Sequence, residues 1–173
     1  MKRLIAVATL AVTLALSNVA LATTTYNDAV FGYEIYATST TGVFTGKAGG
    51  DLPGNWFAVV NHTTPLPAIP SDPPATITAG SYFILWTSIG GEATNVTGTF
   101  APGGTVAFVS QAPGCGNQTY SVVGSFNGLL VDGVPAPGSG GTFAATLTHY
   151  RAYLFGRCRT LAATVVGAVS LTF

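Results

Sequence analysis

Charge is scarce in this 173-residue chain, which contains six lysines and arginines, six aspartates and glutamates and a formal net charge of zero. Charged residues make up 7% of the sequence, whereas globular domains average about 25%. A broad basic face is required to bind phosphates, so this composition argues against nucleic acid as a partner. Weak charge also leaves little electrostatic protection against self-association.

Cysteine is equally rare, since the sequence contains only Cys115 and Cys158. An even number of cysteines in an exported chain predicts one disulfide. That bridge closes a loop of roughly 44 residues and stabilises the fold by about 4 kcal/mol in the chain-entropy model. Beside these cysteines the histidines are His62 and His149, a set too small for a usual metal site, so we expect no metal and no other cofactor.

The common catalytic motifs are missing from the sequence. It has no Gly-x-Ser-x-Gly elbow, no His-Glu-x-x-His, no Walker loop and no dinucleotide fingerprint after a strand. Nothing in the spacing of the scattered acids selects two of them as a glycosidase pair. We therefore assign no catalytic residue, and the sequence favours a non-enzymatic protein over an enzyme.

The first 22 residues have the pattern of a secretory signal peptide. Lys2 and Arg3 precede an apolar run over residues 4–16, and Ala20-Leu21-Ala22 offers a cleavage site after Ala22. The run is too short for a membrane span, so we expect no stable membrane anchor. We predict that residues 23–173 form a single all-β domain in a secreted, extracellular or periplasmic protein.

Apolar residues alternate with period two between glycine, proline and asparagine turn signals, which predicts β-strands. Eight or nine such segments predict an all-β fold, either an antiparallel β-barrel or a barrel-like β-sandwich. Residues 81–86 are apolar on both parities, so we expect both faces of that strand to be covered. The Ala-Pro-Gly-Gly segment at 101–104 predicts a hairpin turn between strands at 96–100 and 105–109.

A glycine followed two residues later by an aromatic side chain recurs along the strands. Residues i and i+2 share one face of a strand, so each glycine adjoins an aromatic ring. The pattern indicates a device for core packing and barrel closure, or alternatively an aromatic binding platform. The six occurrences are Gly42-Val43-Phe44, Gly54-Asn55-Trp56, Gly80-Ser81-Tyr82, Gly98-Thr99-Phe100, Gly124-Ser125-Phe126 and Gly141-Thr142-Phe143.

Two segments have the composition of long loops. Residues 63–74 hold five of the ten prolines and cannot form a paired central strand, and residues 132–141 are flexible by composition. If both lie at one end of a barrel, they form a lid or rim.

The densest group of cations follows near the C-terminus, in a predicted hairpin of residues 142–152 and 157–173. With Tyr153-Leu154-Phe155 as the loop, Gly156 takes the left-handed conformation and Leu147 faces Leu161. Four cationic side chains then share one face near the loop, a candidate site for a small anionic or carbohydrate ligand. Solvated arginines that end a strand are the alternative. The candidate ligand-binding residues are His149, Arg151, Arg157 and Arg159, with Trp56 and Trp86 as stacking partners.

Two further patterns bear on the type of protein. Asn61, Asn95 and Asn117 match the N-glycosylation acceptor pattern. Phe173 and the alternating apolar residues before it resemble the last strand of outer-membrane barrels, although such barrels usually have a polar lumen. The preferred hypothesis is a secreted, non-enzymatic binding or surface protein. A structural subunit of an extracellular or cell-surface assembly is the alternative, and an outer-membrane barrel or an uncharacterised enzyme comes third.

Overall fold

The computed structural model describes residues 23–173, and the predicted signal peptide lies outside these residues. No helix in this part of the chain is long and apolar enough to cross a membrane. The described strands are β1 (Thr25–Ala37), β2 (Thr41–Gly50), β3 (Gly54–Asn61), β4 (Ala75–Thr76), β5 (Tyr82–Ile89), β6 (Glu92–Phe100), β7 (Thr105–Gln111), β8 (Gln118–Val131), β9 (Val134–Leu154) and β10 (Arg157–Thr172).

Eight of the strands form a closed antiparallel barrel. Around the barrel their order is β1, β2, β3, β5, β6, β8, β9 and β10, and β10 closes the ring by pairing with β1. Each strand therefore lies beside its neighbours in the sequence, apart from the pair that closes the ring. The prediction of an all-β antiparallel barrel is confirmed. The strands form one closed ring rather than the two facing sheets of a sandwich.

The two remaining strands, β4 and β7, extend β5 and β6 towards one end of the barrel. β8 pairs with β7 along its first half and with β6 along its second half, so β6 and β7 run in the same direction. The predicted hairpin at residues 101–104 was therefore wrong. Pro102 lacks the N–H that a strand ladder needs, so this segment interrupts the pairing without reversing the chain. The pairing of β4 with β7 continues that of β5 with β6 in the same way.

The connections between strands fall into two groups, one at each end of the barrel. The open end carries residues 38–40, 62–74, 112–117 and 155–156, and the base carries residues 51–53, 90–91 and 132–133. The prediction of a long loop at 132–141 was wrong, because β9 begins at Val134 and pairs directly with the end of β8. The two predicted loops thus lie at opposite ends and form no common lid.

Leu52 closes the base of the barrel. Its side chain is fully buried, and its backbone N–H donates a 2.8 Å hydrogen bond to Oδ1 of the buried Asp28. Asp51 accepts a second hydrogen bond, from the backbone N–H of Asn27. These contacts fix the β2–β3 turn across the end of the barrel.

Aromatic rings fill much of the barrel interior, including most rings of the glycine-x-aromatic pattern. Phe126 packs between Phe100 and Phe143, with ring centroids 4.9 Å and 5.5 Å away. Gly32 makes room for another ring, because a Cβ at this position would overlap both Trp56 and the carbonyl oxygen of Thr45. Glycine at such positions permits the close approach that small barrels require.

The outer face of β5 is open to solvent, which corrects the expectation that both faces of residues 81–86 are covered. Phe83 and Leu85 are buried in the core, whereas Tyr82 and Trp86 are exposed on the other side of the sheet. No further layer in the described part of the chain covers that surface, where Tyr82 packs beside Phe57 of β3 with ring centroids 6.1 Å apart.

Candidate functional site

An apolar cavity of about 130 Å³ lies inside the barrel and extends towards the open end. Its walls come from the inward faces of the strands and are lined mainly by aliphatic and aromatic side chains. The aromatic residues of the lining are Phe44, Trp56, Phe83, Phe100, Phe126 and Phe143. Eight-stranded barrels are just wide enough to hold one small molecule, so this cavity is the best candidate site.

Glu34 and His149 are the closest pair of ionisable groups in the cavity wall, whose other polar residues are Thr38, Thr41 and His62. Glu34 is near the end of β1 and His149 near the end of β9, so both lie at the open end. Oε2 of Glu34 is 3.8 Å from Nε2 of His149, and each side chain is 13% exposed. Among the residues that the structure describes, Nε2 of His149 has no hydrogen-bond partner. This nitrogen is therefore available to a hydrogen-bonding group in the cavity.

Burial changes the charge of this pair. It raises the pKa of Glu34 to about 7, because the carboxylate is withdrawn from water. The pKa of His149 is lowered, first by burial and second by the positive charge of Arg151. At neutral pH Glu34 is therefore partly protonated and His149 is mainly neutral, so the pair can both donate and accept hydrogen bonds.

A row of side chains from β7 and β8 supports His149. The rings of Tyr120 and His149 meet edge to face, with centroids 5.2 Å apart. The hydroxyl of Tyr120 donates to Oε1 of Gln118 at 3.1 Å, and Nε2 of Gln118 donates to Oε1 of Gln111 at 2.9 Å. These contacts hold the imidazole in place beneath the open end.

The register of the β9–β10 hairpin differs from the predicted one. Leu154 pairs with Arg157 across a two-residue turn, Leu147 faces Val165 rather than Leu161, and the pairing shifts between Thr160 and Ala162. Gly156 does adopt a positive φ of 77°, which confirms that part of the prediction.

This register separates the predicted cationic residues. Arg151 follows His149 on the inward face, next to Thr160 of β10. Arg157 and Arg159 pair with Leu154 and Ala152, so they lie on the opposite face and are exposed. The expectation that all four cations share one face was wrong, because it assumed a three-residue loop and a regular β10.

The two tryptophans are also separated by the barrel wall. Trp56 is buried, lines the cavity and donates its indole N–H to the carbonyl oxygen of Lys47 at 3.0 Å. Trp86 is 48% exposed on the outer face of β5. Of the six predicted ligand-binding residues, the structure thus places His149 and Trp56 in the cavity wall.

The proline-rich loop and the disulfide shape the open end. Leu66 of the loop contacts the cavity, and Nδ1 of the buried His62 lies 2.5 Å from the carbonyl oxygen of Thr64. Cys115 and Cys158 form the predicted disulfide, which ties the β7–β8 loop to the hairpin. The bridge is compatible with an extracellular or periplasmic location.

Glu34 was not among the residues predicted from the sequence, because the apolar residues beside it favour the opposite face of the strand as the buried one. Tyr33 and Ile35 have the more apolar parity, yet both are exposed, whereas Glu34 points towards the cavity. The available signal was Gly32, since a glycine on the same face as Glu34 marks the side where an interior ring approaches.

Within residues 23–173 no group of three histidine, cysteine or acidic side chains has the arrangement of a metal site. Comparison of the chain with protein-family models, curated proteins and solved structures gives no match. The function is therefore argued from the geometry of the barrel.

Proposed function

We propose that the barrel binds one small, largely apolar molecule and holds its single polar group between Glu34 and His149. The cavity supports this proposal, because its wall is mainly apolar and its polar side chains, Glu34 and His149 with Thr38, Thr41 and His62, lie at the open end. Ligand sites in proteins commonly combine apolar walls with a few well-placed hydrogen-bonding groups.

The size of the cavity limits the ligand. A volume of about 130 Å³ is close to that of a cavity of about 150 Å³ that binds benzene. The buried part of the ligand is therefore a single ring or a short branched chain. Faces and edges of the phenylalanine rings offer favourable contacts to a ring of this kind.

A partly protonated Glu34 and a mainly neutral His149 favour a neutral head group, such as a hydroxyl or an amide. A buried ion would lose its hydration without gaining a full opposite charge. Arg151 does not line the cavity, and Arg157 and Arg159 lie on the other face of the hairpin, so none of the three arginines contacts an anion bound inside. A neutral ligand thus replaces the anionic one suggested by the sequence.

Benzyl alcohol, benzylamine and benzoate test this proposal, since they share one ring and differ in charge. Bound ligand raises the melting temperature in proportion to ln(1 + [L]/Kd). We expect benzyl alcohol to give the largest shift at pH 7. Equal shifts from all three compounds would show that Glu34 and His149 do not discriminate between neutral, cationic and anionic head groups.

Two neighbouring alanines of β9 provide a matched pair of variants. Ala145 lines the cavity, whereas Ala144 is exposed on the outer face. Ala145→Leu should fill the cavity and abolish the shift with benzyl alcohol, and Ala144→Leu should preserve it. The proposal fails if both variants bind as the wild type does, or if no compound of the series stabilises the wild type.

Trp56 reports on the interior directly. In the Trp86→Phe variant the tryptophan fluorescence of the described chain comes from Trp56 alone, which lines the cavity. Benzyl alcohol should change its emission, whereas the emission of Trp86 in a Trp56→Phe variant should stay constant.

We also propose that the chain is exported after removal of residues 1–22. The signal-peptide pattern of the sequence supports this step, and the disulfide is compatible with it. The mass of the mature protein tests it, since cleavage after Ala22 leaves Thr23 as the first residue.

A second candidate function is that of a subunit in an assembly. The observation in its favour is the outer face of β1, where Phe31, Tyr33 and Ile35 are all more than half exposed. Exposed apolar patches of this kind often mark protein interfaces. A monomer in size-exclusion chromatography at high protein concentration would argue against this candidate.

A further inference from the structure

The tip of the β9–β10 hairpin is the most exposed apolar part of the described chain. Phe155 is 95% exposed and Tyr153 is 67% exposed, and the adjacent Leu154 is also exposed. The hairpin is not a loose loop, because the Cys115–Cys158 disulfide fixes its inner face to the β7–β8 loop. The chain therefore holds three apolar side chains rigidly in contact with water.

The backbone at the tip is also unfavourable. Phe155 has a φ of 51° and Gly156 a φ of 77°, which are the left-handed values of a two-residue hairpin turn. Asparagine, aspartate and glycine are the residues that favour the first position of this turn, and a bulky residue there is an outlier. Phenylalanine at this position costs both backbone energy and solvation, without an intramolecular contact that offsets them among the described residues. Such outliers concentrate at functional sites.

Positive charge surrounds the tip. Arg157 and Arg159 lie on the outer face of the hairpin, and Arg151 lies behind them on the inner face. Within residues 23–173 none of these arginines forms a salt bridge. The hairpin thus combines exposed apolar groups with unpaired cations.

The charged residues of the barrel are unevenly divided between its two ends, and the cations are concentrated at the end that carries the hairpin. The open end has the three arginines of the hairpin, with Glu34 and Asp72 as its acids. The base has Lys47 as its cation and four acids. Those acids are Asp28, Asp51, Glu92 and Asp132. The barrel is therefore polarised along its axis, with its positive end on the side of the hairpin.

We propose that residues 153–159 insert reversibly into the surface of a bilayer that contains anionic phospholipid. Aromatic and leucine side chains enter the interface between headgroups and acyl chains, and the arginines bind the headgroups. A membrane fits the tip better than a protein groove, because Tyr153 and Leu154 lie on opposite faces of the hairpin and Phe155 lies at its turn. The apolar groups thus surround the tip instead of forming one face. This docking does not depend on the proposed ligand of the cavity.

Vesicle sedimentation tests the proposal with the mature chain. The protein should sediment with vesicles of equimolar phosphatidylcholine and phosphatidylglycerol, and far less with phosphatidylcholine alone. Added salt should weaken the binding, because it screens the arginines. Equal binding to both kinds of vesicle, or binding to neither, would overturn the proposal. Binding to neither would favour a protein as the partner of the tip.

Variants separate the apolar and the cationic contributions. Phe155→Asn should reduce vesicle affinity about tenfold or more, and it suits the backbone of the turn, so its fold should be retained. Arg157→Ser and Arg159→Ser should each reduce affinity about fivefold. Controls at other places are Phe31→Asn on the barrel wall and Lys47→Ser near the base, and both should bind as the wild type does. Loss of binding in these controls would contradict an insertion through the tip.

The position of the tip can be observed directly with a Phe155→Trp variant. Its additional emission should shift to the blue with anionic vesicles and be quenched by lipids brominated near the headgroup. An emission that stays unchanged while the protein sediments with the vesicles would show that another surface makes the contact.

Discussion

Glu34 is an acidic side chain whose surroundings withdraw it from water. It lies 13% exposed in a mainly apolar wall, and burial raises its pKa to about 7. Within residues 23–173 the only ionisable side chain placed within ion-pair distance of it is His149, whose pKa is lowered. The consequence is that the free energy of unfolding depends on the protonation of Glu34.

The pH dependence of stability has a definite sign. The pKa of Glu34 is about 7 in the folded protein and 4.5 for an ordinary glutamate, so its contribution is fully present below pH 4.5 and is lost as pH rises through 7. The Glu34→Gln variant should therefore match the wild type at low pH and exceed it above pH 7. We expect a gain of roughly 1 to 3 kcal/mol, after allowance for solvent screening at the open end.

Denaturant unfolding at several pH values measures this difference. His149 acts in the opposite direction, since its lowered pKa removes stability as pH falls below 6.5, so the two proteins must be compared at each pH. Glu92→Gln at the exposed start of β6 is the matched control and should show no such change. A constant difference between Glu34→Gln and the wild type would contradict the assignment.

A second prediction at the scale of one residue concerns the backbone of Phe155. Its φ of 51° suits asparagine, so Phe155→Asn should stabilise the protein by about 1 kcal/mol. That change corresponds to a rise in melting temperature of about 2–4 °C for a chain of this size. Phe155→Leu keeps a bulky side chain at the turn and should give no rise. A lower melting temperature for Phe155→Asn would show that the phenylalanine has a contact that the structure does not contain.

Close packing between elements gives a third prediction, in which two glycines of β1 and β2 are compared. A Cβ on Gly32 would overlap Trp56 and the Thr45 carbonyl oxygen, whereas a Cβ on Gly49 would meet no atom within 4 Å. Gly32→Ala should therefore lower the free energy of unfolding by about 1–3 kcal/mol. Gly49→Ala should leave it unchanged or raise it by up to about 1 kcal/mol. Thermal unfolding of the two variants measures this contrast, and equal effects would mean that β1 and β2 are not arranged as described.

The strands of this barrel were predictable because most of them follow period-two alternation. Residues such as Phe83 and Leu85, or Val169 and Leu171, have the parity of a buried face, and they are buried. Alternation depends only on the local pleat of the strand, so it is visible without the tertiary structure. The number of such segments predicted a barrel or a barrel-like sandwich, and the pairing of β1 with β10 shows that the barrel is closed.

Register and direction were less accessible from the sequence. Pro102 and two glycines indicate a turn, but the chain here continues along β8 because β4 and β8 hold β7 on both sides. In the last hairpin, one irregularity between Thr160 and Ala162 places Arg157 and Arg159 on the outer face. A single inserted residue moves every side chain beyond it to the opposite face of the strand. No local sequence pattern indicates where that insertion lies.

The candidate site shows the same limit. His149 and Trp56 could be proposed from the sequence, since their parity agrees with neighbouring core residues. Glu34 could not, because Tyr33 and Ile35 offer a more apolar alternative that the exposed outer face of β1 accommodates. The inward face is decided by the closure of the ring, which depends on β10 as much as on β1.

At the scale of the whole molecule, the disulfide joins the β7–β8 loop to the start of β10 at the open end, across a separation of 43 residues in the chain. The Cys115→Ala/Cys158→Ala variant should lose about 4 kcal/mol of unfolding free energy, because the unfolded chain gains freedom. The chemically reduced wild type should lose the same amount, which provides the control. Hydrogen exchange should increase most in the hairpin tip and least in the barrel strands. Stability that is unaffected by reductant would contradict a bridged protein.

The order of strands around the barrel has a consequence for how the chain reaches this structure. Seven of the eight pairings around the ring join strands that follow each other in the chain, apart from the short continuations β4 and β7. The eighth joins Thr25 of β1 to Thr172 of β10. Contacts between sequence neighbours form at low entropic cost, whereas the last one closes a loop of nearly the whole described chain. Until it forms, β1 and β10 are free edges that can pair with other molecules. We therefore expect the yield of refolded protein to fall as the protein concentration rises, because pairing of these edges between molecules competes with closure of the ring. This loss should occur even under conditions in which the closed barrel is stable.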